Sequence, residues 1–340
     1  MVYIFRLKTQ QILHMKALGS YFRAMTNYRR YLLIIVILFA IYACYFLQDI
    51  RYCDQTELNK QVEMPSGKKI PYYTGSSAVQ KYKDLAGVDC KYDANGTVQC
   101  PDVRYKGESL NRQGLLVIAR LHAIFDLICR RHNIDYFVFA GSLLGSQRDG
   151  LLIPWDFDSD VGIMMDDFLE LLKYIRRDLP PDIYFEDGVD NPTFKKFCEA
   201  RLRDSNSCYG HCLRTGCKRH DGIQIDIFAF RRDKEPPELI ENHYYKDHKL
   251  KYDDIYPTTE VLLEGLMLRA PKNIKELNTE MFGSNHLTRP NEARHQCHKN
   301  GYAAIPWYSC EALEAMSEEK RMKILGNSMG HRSIFFWYFG

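Results

Sequence analysis

Three aspartates stand at alternate positions in the run Trp155-Asp156-Phe157-Asp158-Ser159-Asp160. Alternate side chains of a strand share a face, so Asp156, Asp158 and Asp160 project together where that stretch is extended. Neighbouring carboxylates repel one another and serve structure poorly. A divalent cation converts the repulsion into coordination. Hard oxygen donors suit Mg²⁺ or Mn²⁺, above all where substrate phosphates complete the shell. A solvated acidic loop is the plainer reading of the same residues. A calcium-binding EF-hand is excluded by register: counted from Asp156, the sixth residue is Val161 rather than Gly and the twelfth is Asp167 rather than Glu.

Two neighbours favour chemistry. Ala140-Gly141-Ser142 follows a predicted strand, and the residues from Leu143 to Gly150 open a short helix. Amides at a helix N-terminus favour phosphate, Gly141 lets backbone approach closely, Ser142 adds a hydroxyl and Arg148 can offer a bidentate fork. The second is the run from Ile223 to Phe230, where apolar residues alternate around Asp226. A strand aspartate in apolar surroundings needs a partner. Either a metal shared with Asp158 and Asp160 or a salt bridge to Arg201 or Arg203 on the preceding strand meets that need.

A Gly-Ser turn, a D-x-D pair and a third strand aspartate resemble the nucleotidyltransferase fold of the polymerase-beta type. More closely, GSLLGSQRDGLLIPWDFDSDVGI, residues 141–163, resembles the LicD family, which includes fukutin and fukutin-related protein. Asp149 stands where that family commonly has His, and Ala229 replaces the Pro of its later I-D-[IL]-[FW]-P-F element. The resemblance runs over about residues 110–290, closing with a strand pair, a Pro and a helix that ends in Phe-Gly. It implies metal-dependent transfer of a phospho-alcohol from a CDP-linked donor, such as CDP-choline or CDP-ribitol, onto a glycan. By residue it implies Asp158, Asp160 and Asp226 on Mg²⁺ or Mn²⁺, with Gly141, Ser142 and Arg148 facing donor phosphates. Asp156 lies in the same motif and either shapes the turn or serves as the base.

The elements that must position these residues are legible as periodicity. From Ser109, apolar residues Leu115, Ile118, Leu121, Phe125 and Ile128 recur at helical spacing, with Arg130, Arg131 and His132 at the end and Asn133 as the stop. Strands are predicted at 135–141, 159–165, 182–188, 196–204 and 222–230. A helix is predicted over 166–179, with Pro180 beyond, and another over 272–283. The predicted class is α/β (α+β): a nucleotidyltransferase-like mixed sheet flanked by helices, over 107–310, followed by an extension over 311–340. The aromatic tail from Ser333 to Gly340 is too short to span a bilayer and reads as a packed strand.

Residues 1–30 hold Arg6, Lys8, Lys16, Arg23, Arg29 and Arg30 and no acid. Tyr31 to Leu47 carries no charge and spans about 25 Å as a helix, which fits one short transmembrane anchor. The positive-inside rule then leaves 1–30 cytosolic and everything beyond about residue 48 lumenal: a single-pass type II protein of the Golgi or endoplasmic reticulum membrane, with a stem over 48–106. The sequon at Asn95 lies on that side. A net charge of +3 over 340 residues gives no reason to expect a nucleic-acid partner.

Of eleven cysteines, Cys44 falls in the span and Cys129 on an apolar helical face. Cys53, Cys90, Cys100, Cys198, Cys208, Cys212, Cys217, Cys297 and Cys310 remain for an oxidising lumen. Cys90 and Cys100 are placed to close a loop around the sequon. Cys208, Cys212 and Cys217, with His211 and His220 nearby, could bind structural zinc, or the cysteines could form disulfides. Two other functions fit in outline. One is a lumenal sugar transferase that uses D-x-D to hold a nucleotide-sugar. The other is a non-catalytic member that binds a glycan or a partner enzyme.

Overall fold

The computed structural model describes residues 61–72, 89–188, 198–210, 212, 216–245, 248, 250–288 and 304–325. The basic N-terminus, the apolar run 31–47 and the aromatic tail lie outside the described residues. Among the described residues no helix is long and apolar enough to cross a membrane.

Two small hairpins come first, β1 (Gln61–Glu63) with β2 (Lys69–Pro71) and β3 (Lys91–Tyr92) with β4 (Val98–Gln99). Helix α1 (Leu110–Arg131) starts where the Ser109 hydroxyl accepts the Arg112 amide at 3.2 Å. Its expected apolar stripe is buried, and Asn133 ends it in the left-handed region at φ 52°. Then follow β5 (Tyr136–Phe139), α2 (Ala140–Asp149), β6 (Asp160–Met164), α3 (Met165–Leu171) and α4 (Ile175–Asp178). The single helix expected over 166–179 is broken. Lys173 and Tyr174 bond to the carbonyls three residues back, and this tighter turn lets Tyr174 stack on His132 at 3.9 Å.

The main sheet is completed by β7 (Ile183–Asp187), β8 (Ala200–Asp204), β10 (Gln224–Arg232), β11 (Leu239–Glu241) and β12 (Leu250–Lys251). Its order is β12-β11-β10-β6-β5, with β8 also on β10 and β7 on β8. β6 and β10 run parallel and their other pairings are antiparallel, so the expected mixed sheet is present. Phe137 pairs with Gly162, where a Cβ would sit 2.2 Å from the Phe137 ring. The missing side chain lets that ring lie across the sheet and join Phe139, Phe230 and Tyr256 in an aromatic wall.

Helix α5 (Tyr252–Ile255) leads to the hairpin β13 (Thr259–Leu263) and β14 (Leu266–Ala270), and α6 (Ile274–Phe282) ends at Gly283. Buried Glu264, at the hairpin turn, takes both terminal nitrogens of Arg112 on α1 and the Leu152 amide. That clamp ties the loop before the aspartates to the first helix. Downstream, β15 (Ala304–Ile305) pairs with β9 (Cys208–Tyr209), and α7 (Cys310–Glu314) and α8 (Glu318–Leu325) follow.

The described parts of the segment expected as a stem pack against this body. Val98 joins the main core, and Val62 and Ile70 join a second cluster with Cys208, Cys212 and Trp307. Cys90 and Cys100 form the expected disulfide, with Asn95 exposed at the hairpin tip between them. Cys129 is buried and free.

Candidate active site

Asp160 and Asp226 are direct partners across the parallel β6–β10 ladder. Neighbouring strands lie about 4.8 Å apart and paired residues share a face, so both carboxylates rise side by side from the sheet. Asp158 precedes them by one alternation. Two phenols report the shared field. Burial, reinforced by Asp160, Asp226 and Asp158, pushes the Tyr245 phenol well above its ordinary range. Tyr209 is pushed up in the same way by burial and by Asp158. Tyr209 also donates to the Phe157 carbonyl at 2.6 Å, which anchors the segment between Asp156 and Asp158.

Of the two partners expected for Asp226, the structure shows the salt bridge. Its Oδ1 accepts from Arg201 Nε at 2.6 Å and from Gln224 Nε2 at 2.8 Å. The salt bridge to the preceding strand is therefore present, and Arg203 instead donates to Glu186 at 2.7 Å. Both donors take the same oxygen of Asp226, which fixes the carboxylate in place.

The turn before α2 is tightly built. Ala140 takes φ 45°, a left-handed conformation rare for a residue with a Cβ. Gly141 leaves the Asp156 carboxylate room, since it lies 3.1 Å from the position a Cβ would take there. Asp156 thus sits against the start of α2, while Asp158 and Asp160 follow toward the sheet. Ser142 Oγ accepts the Asp160 amide at 2.9 Å, joining the turn to β6. Gly145 has no room for a side chain either, since a Cβ would lie 2.4 Å from the Leu151 carbonyl oxygen.

Arg148 is engaged elsewhere. It is near the other end of α2, and Nε donates to the His286 carbonyl at 2.9 Å while the guanidinium also reaches the Thr288 carbonyl. A phosphate fork from Arg148 would have to give up those bonds.

The cysteine set resolves into disulfides. Cys208 bonds Cys310 and Cys212 bonds Cys217, which uses all the thiols named for zinc. Their sulfurs lie within 4.8 Å of one another, and among the described residues they are the only three potential metal-ligating side chains so closed. Asp160 and Asp226 share a face of the sheet, Asp158 lies just before β6, and the three are not drawn that tight. His211 lies outside the described residues, and His220 is exposed.

Sequence reasoning passed over His122, Ser159, Tyr209 and Tyr245. The first two had no signal, being a lone His on an amphipathic helix and a Ser between acids. The tyrosines come from segments distant in sequence, Tyr209 from β9 and Tyr245 from beyond β11.

A mixed sheet with paired acids beside a Gly-Ser turn is the arrangement that the resemblance to nucleotidyltransferases implies. Residues 133–273 match the family model described as LicD/FKTN/FKRP, nucleotidyltransferase domain, so the LicD resemblance holds over that stretch. The chain is 23% identical over 162 residues to the ribitol 5-phosphate transferase FKRP of Mus musculus, covering 46% of this chain and 29% of that protein. It is 24% identical over 174 residues to an uncharacterized protein of Rickettsia typhi and 26% identical over 156 residues to one of Rickettsia prowazekii. Those matches cover 51% and 44% of this chain and 48% of each relative. The chain spans less than half the length of each of these relatives.

Proposed function

We propose that this chain transfers a phospho-alcohol, such as phosphocholine or ribitol phosphate, from a CDP-linked donor to a glycan. The observation that carries the reading is the direct pairing of Asp160 with Asp226, beside a turn whose Ser142 is bonded to the Asp160 amide. The carboxylates fit Mg²⁺ or Mn²⁺: they are hard oxygen donors, and Asp160 and Asp226 share a face of the sheet. Asp158, Asp160 and Asp226 would hold that ion, which when bound neutralises a pyrophosphate.

The residues of the chain do the rest. The start of α2, with Gly141 and Ser142, receives the donor phosphates. The acceptor hydroxyl oxygen bonds to the distal phosphorus, the bond from that phosphorus to the bridging oxygen breaks, and CMP leaves. The hydroxyl proton passes to a carboxylate, for which Asp156 at the mouth of the turn is the candidate. Positioning and charge neutralisation supply the catalysis, as phosphoryl-type transfer requires. Arg148, held on the carbonyls of His286 and Thr288, is left to fix the far end of α2.

We place this domain in the lumen of the Golgi or endoplasmic reticulum, anchored by residues 31–47. The pairs Cys90–Cys100, Cys208–Cys310 and Cys212–Cys217 and the exposed Asn95 support that compartment. Protease added to sealed microsomes should spare the domain; digestion without detergent would overturn the topology.

A panel of CDP-linked donors scored for CMP release tests the reaction, with release expected to require Mg²⁺ or Mn²⁺. A donor labelled on its distal phosphorus separates the rival. If the label stays with the nucleotide while a bare sugar moves, the chain is a sugar transferase. No metal-dependent nucleotide binding at all would favour a non-catalytic glycan binder.

A further inference from the structure

Behind the candidate site runs a buried chain of hydrogen bonds that no part of the motif accounts for. His122 projects from α1, and its Nε2 lies 2.5 Å from Ser159 Oγ. Ser159 Oγ lies 2.5 Å from Ser142 Oγ, which accepts the Asp160 amide at 2.9 Å. His122 and Ser159 are each only 1% exposed, so water cannot substitute for a missing partner between them, while Ser142, at the start of α2, keeps 3% exposure. The other ring nitrogen of His122, Nδ1, is buried with no hydrogen-bond partner.

That orphan sets the direction of the chain. A neutral imidazole carries one proton, on either Nδ1 or Nε2. Orphaned buried N–H groups are rarer than under-satisfied acceptors, so the proton belongs on Nε2 and the bare lone pair on Nδ1. Nε2–H then donates to Ser159 Oγ, and the Ser159 hydroxyl donates onward to Ser142 Oγ. Ser142 Oγ now accepts twice, from Ser159 and from the Asp160 amide. A hydroxyl has two acceptor sites and one proton. Both acceptor sites are filled, and the proton remains for a further acceptor.

We infer that His122 and Ser159 are positioning residues, a buried relay that fixes Ser142 as a hydrogen-bond donor toward a phosphate oxygen of the donor substrate. This rests on the transferase reading for the identity of the ligand, but not for the direction of the relay. In the opposite direction Ser142 would donate inward to Ser159 and present only lone pairs to an anion, which would repel it. The relay therefore selects for anionic ligands at the start of α2. Burial keeps the His122 ring neutral down to about pH 4, so the direction persists through the physiological range.

The test has two arms on the full chain. The first reads the His122 tautomer by ¹⁵N NMR of histidine-labelled protein between pH 5 and 8. The Nε2–H form is expected; an Nδ1–H form or a charged ring overturns the relay whatever the activity proves to be. The second arm measures CMP release from the CDP-linked donor by wild type, His122→Leu, Ser159→Ala and His122→Gln. His122→Leu and Ser159→Ala should raise the donor KM about tenfold and leave the acceptor KM unchanged, and His122→Gln, which keeps an N–H near the Nε2 position, should recover most of that loss. Equal donor KM in wild type and Ser159→Ala overturns the inference, as does a loss that falls equally on both substrates. Should wild type release no CMP, the transferase reading fails alone. Affinity for Mg²⁺-CDP by calorimetry then replaces KM: weaker binding to Ser159→Ala upholds the relay, and unchanged binding overturns it.

Discussion

Asp160 and Asp226 face each other across adjacent parallel strands, and Asp226 has a cationic partner at its side, Arg201 Nε at 2.6 Å. Removing the Asp226 charge therefore breaks an ion pair of the fold as well as the acidic group. Asp226→Asn leaves a largely buried Arg201 guanidinium without its counter-charge, and it should cost about 3 kcal/mol in urea unfolding. Asp158→Asn and Asp160→Asn relieve repulsion within the acidic group and should leave stability unchanged or slightly higher. All three should abolish turnover. Equal stability of Asp226→Asn and wild type would show that the ion pair contributes nothing.

Metal binding has a readout independent of activity. Mg²⁺ or Mn²⁺ should raise the thermal midpoint of the wild-type protein by mass action, and the shift should vanish in Asp160→Asn. A shift of the same size in both proteins would move the ion away from these carboxylates.

Protonation of His122 should weaken the fold. The ring's ordinary pKa of 6.5 falls to about 4 through burial. Between those values the unfolded chain binds the proton and the folded chain does not. The contribution is thus complete above pH 6.5 and is lost as pH falls toward 4, amounting to on the order of 3 kcal/mol. Urea midpoints measured across that window should slope downward with acid in wild type and much less in His122→Leu.

Gly145→Ala should be among the costliest single-methyl changes in the motif. Its Cβ would meet the Leu151 carbonyl oxygen at 2.4 Å, a backbone atom that cannot swing aside. A loss of about 3 kcal/mol is expected in chemical denaturation, and activity should fall too as the loop carrying Asp156 shifts.

The Cys208–Cys310 bridge closes a loop with a sequence separation of 102. Its removal by Cys310→Ser should lower stability by about 3 kcal/mol. Because Ile305, Trp307 and Leu313 share the same apolar cluster, limited proteolysis should first reveal cleavage in the C-terminal helices.

The sequence by itself determined the parts of this protein that are local. Residues 141–163 hold the Gly-Ser turn and the alternating aspartates in one run, hydrophobic periodicity placed α1, β5, β6, β10 and α6, and the LicD resemblance supplied the β13–β14 hairpin. Such features are legible because helix and strand periods and turn residues act over a few positions. Even there, the break at Lys173 and Tyr174 was hidden, because it answers to His132, a residue from another element. What only the tertiary structure decided is register and partnership between distant segments. No spacing rule says that Asp226 will meet Asp160, that Arg201 will serve Asp226 while Arg203 serves Glu186, or that Cys208 will choose Cys310 over Cys217. His122 is the clearest case. On the helical pattern it is one polar residue on a buried face, and its meaning appears only when the packing of α1 removes water and leaves Ser159 as its neighbour. Strand pairing and burial are properties of the whole chain, and they convert the same residue types into ligands, counter-ions or relays.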